Sequence, residues 1–145
     1  MIGLRIMGLD VGDKRIGVAI CDPMGWIAQG VKTVIREENS NNDIEEIKKI
    51  IKEYSVEKIV IGLPKNMNNT MGPQGEKVIE YSKTIESEFK LPIVFIDERL
   101  STVAAQKMLI QADVRRSKRK QVVDMIAATY ILQTYLDSGG FGGKL

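Results

Sequence analysis

The chain has 145 residues, enough for one domain with a real core and too few for two ordinary ones. It contains no histidine, which removes the commonest general base, the usual zinc ligand and every imidazole-dependent serine or cysteine triad; carboxylates and a hard cation remain. Its single cysteine excludes an intrachain disulfide, and its net charge of +2 excludes a global field drawing it to a polyanion. Basicity is instead local: Arg115-Arg116-Ser117-Lys118-Arg119-Lys120 sets five positive charges in six positions. With no leader-like opening and no apolar run near the length of a membrane span, the expectation is a cytoplasmic protein with no membrane partner.

In chain order, residues 4 to 10 and 15 to 21 are apolar β-type runs separated by Val11-Gly12-Asp13-Lys14, which suits a hairpin. Cys21 ends the second run and reads as a buried structural thiol. After the turn at Pro23-Met24-Gly25, residues 26 to 35 supply a third strand. A polar patch from Arg36 to Asn42 precedes a helix over Asp43 to Tyr54, with Ile44, Ile47, Ile50 and Ile51 at helical spacing and Asn42 or Asp43 as N-cap. Residues 58 to 62 make a short core strand. The following loop, Leu63 to Pro73, is longer than a connector needs, and such loops at strand ends often touch ligands.

Gln74 to Phe89 is predicted helical, with Val78, Tyr81, Ile85 and Phe89 on one side and Leu91-Pro92 as its stop. A strand over 93 to 97 follows, then a helix from Ser101 or Thr102 to Ala112, the basic segment as a linker, and a last helix from about Gln121 to Leu136. The expected organisation is one domain over 1–138 and a glycine-rich tail over 139–145. Antiparallel strands first and helix–strand alternation afterwards predict an α/β fold, a mixed five-stranded sheet of three antiparallel strands followed by parallel ones, flanked by helices. In such sheets ligands gather at the carboxyl ends of the strands.

Three acids draw attention. Asp124 interrupts Val122-Val123-Asp124-Met125-Ile126-Ala127-Ala128, otherwise the buried stripe of a helix, and a buried carboxylate needs a partner. Asp10 closes the first strand and Asp97-Glu98 closes the fifth. Because side chains alternate along a strand, only one of Asp97 and Glu98 faces the same side as the other acids.

These residues carry a resemblance. The stretches Asp10-Val11-Gly12-Asp13-Lys14-Arg15-Ile16-Gly17-Val18-Ala19, Ile61-Gly62-Leu63-Pro64-Lys65-Asn66-Met67, Asp97-Glu98-Arg99-Leu100-Ser101-Thr102 and Asp124-Met125-Ile126-Ala127-Ala128 resemble, in order and over nearly the whole chain, the four motifs of the YqgF (RuvX) family. That family is described as Holliday junction resolvases and as nucleases maturing the ribosomal RNA precursor, on a ribonuclease H-like fold. The resemblance implies a metal-dependent endonuclease with Asp10, Glu98 and Asp124 as the catalytic and metal-binding triad. Two Mg²⁺ or Mn²⁺ ions about 4 Å apart would then be held by oxygen ligands, one activating the attacking water and one stabilising the leaving oxygen.

Nucleic acid is the implied partner, either precursor 16S rRNA at its 5′ end or branched DNA, with two active sites, and hence a homodimer or paired binding, required if a four-way junction is cut symmetrically. The expected contacts to it are Arg15, Lys65, Asn66, Arg99, Arg115, Arg116, Lys118, Arg119 and Lys120. Arg15 and Arg99 have a second possible role, pinning the acids by ion pairing. Lys65 and Asn68-Asn69 depart from the family's Gly-Leu-Pro-Leu-Asn-Met-Asp-Gly pattern, and the added lysine suits nucleic-acid affinity. Gly17, inside a strand, is expected to permit close packing. Crowding of the three carboxylates predicts that repulsion weakens the metal-free fold. Two rival classes are an actin-like ATPase, whose second glycine-rich motif and second domain this chain lacks, and an inactive binding module, which a missing acid would have favoured.

Overall fold

Strand β1 (Arg5–Val11) and strand β2 (Arg15–Cys21) pair antiparallel, closed by a tight turn in which the Gly12 N–H donates to the Arg15 carbonyl at 2.9 Å. In this computed structural model, residues 5–38, 40–64, 71–98 and 116–138 are described, with side chains in the last segment described from residue 123. Next along the chain come β3 (Ala28–Ile35), α1 (Asn42–Tyr54), β4 (Val56–Leu63), α2 (Pro73–Phe89), β5 (Ile93–Asp97) and α3 (Arg116–Asp137). The described strands form one sheet of order β3-β2-β1-β4-β5, antiparallel on the β3 side of β1 and parallel on the β5 side.

The central strands are buried almost throughout because the sheet is covered on both faces. Alternation divides their residues. Met7, Leu9, Ile16, Val18, Ile59 and Ile61 face α1 and α2, meeting Ile47, Ile50, Val78 and Ile85. Ile6, Ala19, Cys21 and Val60 face α3, meeting Ala127, Ala128, Ile131 and Leu132. Cys21 is buried as expected: its Sγ accepts the Ile6 N–H at 3.2 Å, and burial pushes the thiol above its ordinary pKa.

Several boundaries differ from the sequence expectation. The third strand begins at Ala28, because Trp26 and Ile27 instead donate their N–H groups to the Asp22 carboxylate in the preceding turn. The fourth strand is longer at both ends, Val56–Leu63. The cap of α1 is Asn41 and makes no side-chain cap hydrogen bond, so neither Asn42 nor Asp43 is the N-cap. Asp43 turns inward to a partner on another helix, described below. The basic run is not a linker from residue 116 onward, since α3 begins there, well before Gln121. Good helix formers at 116–120 extend the helix past the end of its apolar periodicity. The predicted helix over 101–112, most of the 63–73 loop and the glycine-rich tail lie outside the described residues. Among the described residues no helix is long and apolar enough to cross a membrane.

Candidate functional site

Two glycines bring the acids to one place. On β1, Ile6, Gly8 and Asp10 face α3, and Asp10 is cross-strand from Gly17 on β2. A Cβ on Gly17 would collide with the backbone carbonyl of Asp124, so the missing side chain is what lets α3 settle directly over β2 at this point. The close packing expected of Gly17 is therefore what the fold uses it for. On the other side of β1, Leu9 pairs with Ile61 of β4, and the next residues along the two strands are Asp10 and Gly62. A Cβ on Gly62 would lie 2.9 Å from Glu98 Oε2, which places the Glu98 carboxylate over that glycine.

Alternation along β5 agrees, because Val94 and Ile96 pack in the α3-facing layer and Glu98 continues that series while Asp97 falls between. Asp10 is only 6% exposed, at the carboxyl end of the central strand. Asp10, Glu98 and Asp124 thus share one sheet face and one edge, with Asp10 between the other two.

The partner that Asp124 requires is Arg15. The Arg15 Nε donates to Asp124 Oδ2 at 2.7 Å, with the two side chains 28% and 16% exposed. This pair joins residues 109 positions apart. Of the two roles open to Arg15, holding an acid is the one seen. The repulsion expected among three crowded carboxylates is correspondingly reduced at Asp124, because a guanidinium pairs with it. The donor chemistry, all carboxylate oxygen with no imidazole or thiolate, fits a hard divalent cation. Among the described residues no three acidic or thiol side chains are gathered into a ready-made ion cage, and Asp124 is turned to Arg15.

Of the other expected contact residues, Lys65, Asn66, Arg99 and Arg115 lie outside the described residues. The backbone of Arg116, Lys118, Arg119 and Lys120 forms the first turns of the helix that carries Asp124.

One constellation escaped the sequence reading. Arg36, counted as part of a polar patch, reaches back to the β1–β2 turn, where its Nη1 donates to the Gly12 carbonyl at 2.6 Å. Its backbone N–H donates to the Lys14 carbonyl at 2.9 Å. Its guanidinium stands 4.4 Å from the centre of the Tyr81 ring, and its Nε lies 3.8 Å from Asp43 Oδ2. The Tyr81 hydroxyl donates to that same Asp43 oxygen at 2.5 Å, and burial together with this hydrogen bond raises the phenol far above its ordinary pKa. The only available signal was Asp43 itself, an acid at a helix start, which local reasoning assigns to a cap.

A family model for RuvX, described as Holliday junction resolvase, matches residues 4–138. The chain belongs to the RuvX family. Curated relatives agree: a protein of Desulforamulus reducens is 60% identical over 136 residues, 94% of this chain and 98% of its own length. One from Clostridium tetani is 61% identical over 135 residues, 93% of this chain and 97% of its own. Both are named as pre-16S rRNA nucleases. Among solved structures, Thermus thermophilus RuvC in complex with Holliday junction substrate superposes with a TM-score of 0.55 at 10% identity, covering 94% of this chain and 96% of that one. The fowlpox virus Holliday junction resolvase does so with a TM-score of 0.52 at 15% identity, covering 93% and 99%. At these identities the likeness is one of fold, and the RuvX chain has the ribonuclease H-like architecture of these resolvases.

Proposed function

We propose that this RuvX protein is a metal-dependent endonuclease that matures precursor 16S rRNA, with Asp10, Glu98 and Asp124 as its acidic triad. The observation that carries the reading is the convergence of these acids, from two strand ends and one helix, around Gly17 and Gly62 on the two strands that flank Asp10. Near-full-length relatives named for precursor 16S rRNA support the substrate.

In this reading the three carboxylates would hold Mg²⁺ or Mn²⁺, Asp124 offering the carboxylate that now pairs with Arg15. Bound there, a divalent ion supplies an activated water and neutralises charge on the phosphate. Asp10 contributes from the buried strand end, a rigid platform that fixes its carboxylate. Glu98 approaches from the neighbouring edge over Gly62. The Arg15 guanidinium, which stands at Asp124, would be suited to a phosphate oxygen in the same cleft. The basic start of α3 contributes backbone affinity without base reading.

The RuvX family description and the resolvase-like fold favour a second reading, cleavage of four-way DNA junctions, which requires two active sites and hence a homodimer or paired binding. One experiment decides between them. Purified protein in Mg²⁺ or Mn²⁺ is offered labelled precursor 16S rRNA, four-way junctions, duplexes and single strands, beside the Asp10→Asn, Glu98→Gln and Asp124→Asn variants. We expect cleavage of the ribosomal precursor by wild type and loss of at least about 100-fold in each folded variant, the effect of removing an anionic ligand. Wild-type rates in any well-folded variant would remove that acid from the triad, and junction-only cleavage would establish the second reading.

A further inference from the structure

We propose that Arg36 is a positioning residue for the acidic edge: by clamping the β1–β2 turn at both shoulders it sets Arg15 against Asp124 and Asp10 beside them. This rests on the nuclease reading for its consequence, though its geometry stands without it. The turn residues between Asp10 and Arg15 are few, so the angle at which the two strands leave the turn determines where both side chains point.

Arg36 touches the turn twice, through its side-chain Nη1 to the Gly12 carbonyl at 2.6 Å and through its main-chain N–H to the Lys14 carbonyl at 2.9 Å; the second continues the β2–β3 pairing, so the first is what the arginine side chain adds. The Gly12 N–H in turn meets the Arg15 carbonyl, and the Arg15 side chain meets Asp124. The clamp is itself held from outside the sheet. Tyr81 of α2 lies under the guanidinium and donates to Asp43 of α1, whose carboxylate faces Arg36 Nε. One planar group therefore ties the turn to two helices on the opposite sheet face from α3.

The choice of residue supports a geometric role. A buried or half-buried ion pair is a poor source of stability compared with apolar packing of equal volume, and Asp43 is only 7% exposed. What the guanidinium provides is direction: a rigid fork can meet a carbonyl with one nitrogen, face a carboxylate with another and lie flat on a ring. An ammonium meets one of these at a time. Groups hydrogen-bonded directly to metal ligands are commonly worth about 10 to 100-fold in metal affinity, and Arg36 acts one step further out, through the turn that carries Arg15.

The test uses the full chain with Arg36→Met, Arg36→Lys and Tyr81→Phe. Gln133→Ala serves as a control, because Gln133 accepts from the Ala28 N–H and donates to the Trp26 carbonyl and to Asp137, at the far end of the sheet. Two readouts are independent of cleavage. The first is hydrogen exchange at the Gly12 N–H and the Arg15 Nε–H by NMR, and the second is Mn²⁺ titration of the protein alone by calorimetry. In Arg36→Met we expect both hydrogens to exchange at least about tenfold faster, a local opening, and Mn²⁺ to bind about tenfold more weakly. Arg36→Lys should fall between wild type and Arg36→Met.

Gln133→Ala should lower the melting temperature and move neither readout. Exchange rates at Gly12 and Arg15 in Arg36→Met within twofold of wild type, or changed equally by Gln133→Ala, overturn the proposal. Should Arg36→Met fail to fold, Tyr81→Phe decides, since it removes only the hydroxyl that anchors Asp43, and unchanged exchange there overturns the proposal equally. If wild type binds no Mn²⁺, the metal reading of the site falls, and exchange alone decides the role of Arg36.

Discussion

Arg15 changes how the acidic edge behaves before any ion arrives. A carboxylate placed near Asp10 and Glu98 raises the electrostatic cost of the empty site, and a guanidinium 2.7 Å from Asp124 offsets it. Asp124→Asn should therefore lower stability in EDTA by about 1 kcal/mol, the scale of a partly exposed ion pair. For wild type, an ion bound with a dissociation constant of roughly 1 mM at about 10 mM Mg²⁺ adds about 1.4 kcal/mol. Arg15→Met removes the competitor for Asp124 and should show the larger rise in melting temperature between EDTA and Mg²⁺, while Asp124→Asn should lose most of its rise. Melts at matched ionic strength check this, and equal Mg²⁺ responses in wild type and Asp124→Asn would remove Asp124 from the ligand set. Asp97, which alternation sets apart from the Val94–Ile96–Glu98 series, predicts a contrast: Asp97→Asn should retain cleavage within about tenfold while Glu98→Gln does not. Equal loss in single-turnover assays would mean that both acids reach the site.

At the level of elements, the contact between α3 and β2 is the joint on which the site depends. Adding a methyl at Gly17 drives it into the Asp124 backbone, which a helix cannot yield locally without shifting its whole axis. Gly17→Ala should cost about 1–3 kcal/mol or more by overpacking and lower the melting temperature accordingly. It should also reduce cleavage beyond what stability explains, because Asp124 moves with the helix. A calorimetric scan and an assay well below the melting temperature separate the two effects, and a normal melt would show that the helix accommodates the methyl. The strands and the apolar face of α2 were legible because period-2 and period-3.6 patterns survive in the sequence wherever a face is buried. The start of α3 was not, since Arg116 to Lys120 carry no apolar stripe, and charge alone does not distinguish a loop from an exposed helical turn. Asp43 was misread as a cap because its partner Tyr81 lies 38 residues away, and local reasoning sees only neighbours. Asp124 was readable as an anomaly, yet its partner, Arg15, emerges only from the fold.

Taken as a whole, the nearly balanced chain sets three of its acids, Asp10, Glu98 and Asp124, at one sheet edge and a run of bases at the start of the helix that brings one of them. Placing cations at a helix N-terminus opposes the helix dipole, at about 0.3–1 kcal/mol each near the surface, and no acidic residue stands in that first turn to compensate. On the nuclease reading, a phosphate backbone would meet the dipole and the side-chain charge together. Neutralising Arg115, Arg116, Lys118, Arg119 and Lys120 should therefore weaken binding to RNA and DNA alike, and should leave the folded protein as stable or slightly more so. If each of the five neutralises one phosphate, the slope of log affinity against log salt falls by as much as about 4 to 5 units. Binding titrations across a salt series, with catalysis blocked by Asp10→Asn in both proteins, measure the slope directly. An unchanged slope would return the cluster to a solvated helix end and require the substrate to be held by the cleft alone.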